Sequence, residues 1–269
     1  MTVPPSDWVP ENVDLKRPNA ARVYDYYLGG AHNFEVDRAF AKQIINLVPE
    51  VGAAARLNRR FLHRAVRFLA SQGVSQFLDI GSGIPTVGHV HEIAKAINPA
   101  SRVVYVDSEP VAVAHSELLL HDVPNADVLA ADLRDPDRIL GSEQVRRLID
   151  FTQPVAVLMV SVLHFVPDGE ELTTALRRYI ETLAPGSAVV ISHATPEEDP
   201  ERLGRAAQLY QSSSTPFITR SHEQIGAFLV GLDLVEPGLV WTPLWLPDSD
   251  DNVEHPEQAR FYAAVARKP

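Results

Sequence analysis

The chain has 269 residues, 45% of them hydrophobic and 22% charged, which allows an α/β unit with additions and a sizeable core. Its net charge of −11 leaves no excess of Lys and Arg to neutralise phosphates, so nucleic-acid binding is not expected. The absence of cysteine excludes disulfides and thiolate metal sites.

Residues 1–17 are polar, contain Pro4, Pro5 and Pro10, and read as an extended arm. Met1–Asp7 has neither a basic start nor an apolar stretch, so no secretory signal is expected. No apolar run approaches the ~18 residues of a membrane span. The expected setting is cytoplasmic, with no membrane partner. Pro18 to Leu28 reads as a helix stopped by Gly29-Gly30. Two helices follow, at 35–47 and 50–70, the second with Leu57, Phe61, Leu62, Ala65, Phe68 and Leu69 at helical spacing. Arg56, Arg59, Arg60, Arg64 and Arg67 on that helix read as one solvated face.

From Gly73 strand and helix alternate. Strands are expected at 76–80, 102–106, 127–130, 155–160 and 187–192, and helices at 86–97, 110–121, 136–150 and 168–183. This order predicts a doubly wound α/β fold with a mostly parallel sheet. Helices are expected at 198–211 and 221–230. Two extended runs, Leu234–Val240 and Phe261–Ala266, return across Trp241, Trp245 and an acidic loop. The organisation expected is an N-terminal arm and helical cap over 1–72, then a core over 73–269, forming one compact unit. Residues 195–220 read as an insertion on the acceptor side.

Asp79-Ile80-Gly81-Ser82-Gly83-Ile84-Pro85 stands between a strand and a helix. Glycines there permit a tight turn and close approach of a ligand to the backbone. Taken alone, it also reads as a plain turn. Asp107 ends the second strand, 24 residues after Gly83, and can accept both ribose hydroxyls. It reads equally as a helix cap ahead of Pro110. Asp132, after the third strand, can accept from an adenine amino group, with Leu133 as an apolar face for the ring. Acids at successive strand ends outline an adenosine-shaped slot. A dinucleotide fingerprint needs a third glycine, and Thr86 stands there instead. Asp79 also repels a diphosphate, whereas it suits the cationic S-adenosylmethionine.

The stretch 76–193 resembles a class I S-adenosylmethionine-dependent methyltransferase. Tyr24-Asp25-Tyr26-Tyr27-Leu28-Gly29-Gly30, His32-Asn33-Phe34 and the Asp79–Thr86 motif resemble, more narrowly, an actinobacterial family of uncharacterised S-adenosyl methyltransferases. Pro85 departs from the broad pattern but is shared by the narrower family. The resemblance implies a seven-stranded sheet with an antiparallel last strand and S-adenosylmethionine as cofactor, leaving S-adenosylhomocysteine. It implies cofactor contacts at Gly81, Asp107 and Asp132, and main chain near Ser161 holding the methionine amino group. Ser82, Gly83, Pro85, Ser108 and Leu133 complete the expected slot.

Tyr24, Tyr27 and Phe34 read as a lid over the sulfonium or as packing for the added helices. Arg22 and Asn33 are candidates for the methionine carboxylate, or are a surface Arg and a turn Asn. His164, after the fourth strand, is the candidate catalytic base or acceptor-positioning group, with His193 second. Either also reads as packing. Tyr210, Phe217, Arg220, Trp241 and Trp245 are candidates for the acceptor pocket. No metal site is visible. The function expected is methyl transfer to a small molecule. The alternatives are a non-catalytic S-adenosylmethionine-binding protein and a nicotinamide-dependent oxidoreductase.

Overall fold

The computed structural model describes residues 10, 12–85, 88–249 and 253–269. Helices α1 (Ala20–Tyr27), α2 (Glu35–Leu47) and α3 (Val51–Ser71) precede the sheet. Then come β1 (Gln76–Ile80), α4 (Val90–Ile97), β2 (Arg102–Asp107), α5 (Pro110–Leu120) and β3 (Ala126–Ala130). Next are α6 (Pro136–Leu140), α7 (Glu143–Leu148), β4 (Ala156–Val160), α8 (Glu170–Thr182) and β5 (Ala188–Ala194). Last come α9 (Pro200–Tyr210), α10 (His222–Gly226), β6 (Asp233–Leu234), β7 (Val240–Trp241) and β8 (Phe261–Arg267).

The sheet runs β3-β2-β1-β4-β5-β8-β6, with β7 also on β8. β1 to β5 are parallel and β8 is antiparallel to β5, as the resemblance implied. The extended run expected at Leu234–Val240 is broken into β6 and β7, which pair with the two ends of β8. Pro237 lacks an N–H for the ladder, and the Gly238 N–H turns back to the Val235 carbonyl at 2.8 Å. The helix expected over 136–150 is likewise two pieces. Ser142 starts the second by accepting from the Val145 N–H. The expected helix start at Thr86, and the head of the arm, lie outside the described residues.

Strand alternation decides what faces each helix layer. Leu78, Ile80, Val104, Val106, Val157 and Met159 pack under α6, α7, α8 and α10. Phe77, Val103, Tyr105, Ala156 and Leu158 pack under α3, α4 and α5. Asp79 and Asp107 fall on the α3 side, at positions where period two calls for an apolar residue. A third cluster joins α1 and α2 to α9, with Val23, Tyr27, Phe40, Ile44, Leu203 and Tyr210. The arginine face of α3 is not uniformly solvated. Arg64 is buried and donates to the carbonyls of Trp245 (2.9 Å) and Thr242 (2.6 Å). Among described helices none is long and apolar enough to cross a membrane.

Candidate functional site

The sheet order reverses between β1 and β4, and a cleft opens beyond their carboxyl ends. Its volume is about 340 Å³. Asp79, Gly81, Ser82, Gly83, Asp107, Ser108, Asp132, Leu133 and Ser161 all line it. The structure thus brings nine of the expected positions together. Pro85 lies beside the cleft, lining a small adjoining recess with Ser82 and Gly83.

Gly81 has φ +73°, and a Cβ there would overlap the Val162 side chain, so both conformation and space demand glycine. Gly83 donates its N–H to Asp107 Oδ2 at 2.7 Å, locking the turn to the tip of β2. Asp107 Oδ1 accepts from the Glu109 N–H at 2.8 Å. Asp107 thus takes its capping reading, and its carboxylate retains lone pairs beyond these two bonds. Burial raises its pKa, and the backbone donors partly offset this. Asp132 is tied to Arg134 through two side-chain bonds of 2.6 and 3.0 Å. That hydrogen-bonded guanidinium holds its pKa low.

Asp79 is 5% exposed, and burial pushes its pKa up to about 7, with nearby Asp107 adding to the rise and Arg59 opposing it. Arg59, from α3, lines the same cleft. Its Nε is buried with no hydrogen-bond partner among the described residues, while Nη2 reaches the Gly88 carbonyl at 3.3 Å. The cleft floor therefore carries one carboxylate and one guanidinium, each short of partners. These suit an ammonium and a carboxylate, the two charges of an amino-acid end. Sequence reasoning missed Arg59 because it sits within a run of evenly spaced arginines.

Ser161 has φ +61°, in the left-handed region, at the end of β4. Its N–H is held by the Ser192 hydroxyl at 3.0 Å. Ser192 donates to Asn58 Oδ1 at 2.5 Å, and Asn58 Nδ2 donates to the Tyr24 hydroxyl at 3.0 Å. Tyr24 in turn donates to the Ala55 carbonyl at 3.0 Å. A buried string thus runs from α1 through α3 and β5 to the backbone of Ser161. Asn58 was also missed, although a polar residue on the apolar stripe of α3 is a visible signal.

The N-terminal candidates sit elsewhere. Arg22 is buried and bonds Asp37 (2.8 Å), Glu109 (2.7 Å) and the carbonyls of Asp14 and Arg17. It braces the Glu109 loop from behind, outside the cleft lining. Asn33 donates to Asp25 at 2.7 Å and to the Gly30 carbonyl at 3.0 Å, closing the turn after α1. Phe34 packs beside Ile84 of the glycine turn. Tyr27 lines a second, apolar chamber of about 60 Å³, together with His164, Phe165, Tyr210, Phe217 and Phe261.

His164 is 1% exposed, and burial drives its pKa well below the ordinary imidazole range. Its Nδ1 accepts the Ala194 N–H at 3.5 Å, which puts the ring hydrogen on Nε2. The ring facing the chamber is thus neutral and a donor. His193 lies on the opposite sheet face, with Nδ1 on its neighbour's carbonyl and Nε2 taking Arg220 at 2.7 Å. Arg220 also donates to the carbonyls of Leu163 (2.9 Å) and Val166 (2.8 Å). It buttresses the loop after β4 and lines neither cavity. Trp245 packs edge-on against Phe61 and Phe68, and Trp241 stacks on Tyr262 at 4.0 Å. Ser214, Thr215 and Pro216, after α9, border the cleft.

A family model described as S-adenosyl methyltransferase matches residues 6–269. The chain belongs to this family. Its cofactor is S-adenosylmethionine, and it is a methyltransferase. A Thermobifida fusca protein carrying a provisional methyltransferase name is 39% identical, with TM-score 0.90 over 98% of this chain and 99% of that one. A DUF574 family protein from Streptomyces avermitilis is 38% identical, with TM-score 0.91 over 95% of this chain and 99% of that one. An O-methyltransferase family protein from Burkholderia thailandensis, at 13% identity and TM-score 0.51 over 81% of this chain and 59% of that one, shares the fold alone. No match is found among curated proteins.

Proposed function

We propose that this methyltransferase acts on a small-molecule acceptor and binds S-adenosylmethionine across the β1–β4 switch point. In this reading Asp107 and Ser108 meet the ribose, and Asp132 and Leu133 meet the adenine. Gly81, Ser82 and Gly83 let the ligand lie against the main chain. Asp79 takes the ammonium together with the Ser161 backbone, and Arg59 takes the carboxylate. The observation that carries it is Asp79, a nearly buried carboxylate lining the cleft and in need of a cation. Bound S-adenosylmethionine supplies a methyl group already activated by its sulfonium. The protein's own task is then mainly orientation and exclusion of water. His164, neutral and donating, positions the acceptor in this reading and is no base. Arg22 and Asn33 act at one remove, by holding α1 and the turn after it. Residues 195–220 form the acceptor side, and the N-terminal helices roof the cleft. The cysteine-free composition supports a cytoplasmic setting.

A non-catalytic S-adenosylmethionine binder would share this cleft, whereas an open carboxylate on its floor disfavours the diphosphate of NAD. The test is thermal. S-adenosylhomocysteine at about 100 times its Kd should stabilise the protein by roughly 2.7 kcal/mol, and NAD should not. Asp107→Ala should remove most of that shift. A full shift in Asp107→Ala, or stabilisation by NAD alone, overturns the assignment.

A further inference from the structure

The apolar chamber and the cofactor cleft share Ala20, Tyr24, Ser161 and Phe165 in their walls. The chamber therefore abuts the β4 end of the cleft, away from Asp107 and Asp132. Its aliphatic wall comes from both sides, with Ile44 from α2, Val48 just after it, and Leu203 and Ala206 from α9. Among the described residues no carboxylate lines it. The cation among its described lining residues, Arg260, spends Nε on Glu50 at 2.9 Å and stands 4.0 Å from Asp199. An ion entering this space would lose its water and find no free counter-charge, a cost of several kcal/mol. Besides the neutral His164 ring, the Tyr27 hydroxyl is the polar group to note. The Tyr27 hydroxyl is sealed from solvent, and its hydrogen bond to the neighbouring Tyr210 phenol is poorly aligned, so it keeps spare bonding capacity. A buried hydroxyl in that state favours a ligand that completes its bonding.

We infer that this chamber is the acceptor subsite, and that it takes an uncharged molecule with an apolar body and a neutral hydrogen-bonding group at its buried end, met by Tyr27. The inference rests on the methyltransferase reading of the adjoining cleft. The space of about 60 Å³ exceeds the ~10–15 Å³ of one water but falls short of the ~150 Å³ that encloses a benzene. It admits the end of a single ring or a short branched group, with the nucleophilic end left at the threshold by Ser161. Amino acids, nucleotides and phosphorylated metabolites are excluded as the buried moiety.

Three probes of similar shape separate the terms: 4-hydroxyacetophenone, 4-ethylphenol and 4-hydroxybenzoate. Each is titrated into the full chain saturated with S-adenosylhomocysteine, and binding is read by saturation-transfer NMR. The neutral ketone should bind tightest, and the isosteric carboxylate at least about tenfold more weakly. Tyr27→Phe should weaken the ketone about fivefold, to the level of 4-ethylphenol, and leave 4-ethylphenol unchanged. Ala206→Phe should fill the chamber and abolish binding of all three while S-adenosylhomocysteine still binds. Val48→Phe fills it from the end of α2 and serves if the first variant does not fold. Equal binding of ketone and carboxylate, or ketone binding that survives the filled chamber, overturns the inference. If S-adenosylhomocysteine binds but no probe enters, this inference alone falls. If S-adenosylhomocysteine itself does not bind, the reading of the cleft falls with it.

Discussion

Asp79 holds its proton more tightly in the folded chain than in the unfolded one, because burial raises its pKa to about 7 from 3.8. A raised carboxylate contributes stability below its unfolded pKa and loses it as pH rises through the folded value. The apoprotein should therefore weaken between pH 4 and pH 7, by at most about 4 kcal/mol from this group. Asp79→Asn removes that loss. At pH 8 the variant without ligand should melt a few degrees higher than the parent, and its affinity for S-adenosylhomocysteine should fall at least about tenfold. Calorimetry of both proteins at pH 5 and pH 8 checks the sign. A lower melting point at pH 8 would mean that Asp79 already has a partner in the fold. The stability is given up where the ligand binds, as at many functional sites.

At the scale of elements, the loop Leu163–Asp168 between β4 and α8 owes its shape to a side chain far along the chain. Arg220 reaches its carbonyls and Asp168 from one side and His193 from the other. Arg220→Met leaves these acceptors unpaired and should cost about 2–4 kcal/mol in urea denaturation. A loss below about 1 kcal/mol would mean that water replaces the guanidinium without penalty. The parallel core was legible in the sequence. Its strands are short apolar runs, and its acids stand at strand tips where neither packing nor helix periodicity explains them. Asp79 and Asp107 were visible for that reason. Asn33 takes its alternative reading as a turn residue, whereas the burial of Arg22 and Arg220 was not legible because their partners lie far off in sequence, and spacing carries no trace of such bonds. Arg59 and Arg64 belong to a run of arginines that points several ways at once, so only the packing of α3 tells cleft from core. The interruption at Pro237-Gly238 was written in the residues but is easily overrun by the flanking apolar ones.

For the molecule as a whole, the added helices do more than roof the sheet. The third cluster, formed by α1 and α2 against α9, encloses the apolar chamber, and its contacts to α9 join residues more than 150 apart, as Phe40 does with Tyr210, too far to be seen in sequence. The ionic group of Glu50, Arg202, Asp199 and Arg260 ties α3, α9 and the approach to β8 together around it. Enclosure on this side and an open cleft on the other divide the protein into two compartments that meet at Ser161.

The string Tyr24–Asn58–Ser192–Ser161 runs along the seam of the two compartments: Tyr24 and Ser161 line both, and Asn58 lines the cleft. Two ligands seated against one hydrogen-bonded string share a linkage. Whatever factor an occupied chamber adds to the affinity for S-adenosylhomocysteine, S-adenosylhomocysteine must return to the chamber's ligand. With 4-hydroxyacetophenone in place, isothermal titration should show S-adenosylhomocysteine binding about fivefold tighter, a coupling near 1 kcal/mol. Asn58→Ala cuts the string and should return that factor to one. An unchanged factor would locate the coupling elsewhere. The enzyme would then prefer to be filled by both partners or by neither, which discourages loss of the methyl group to water when the acceptor is missing.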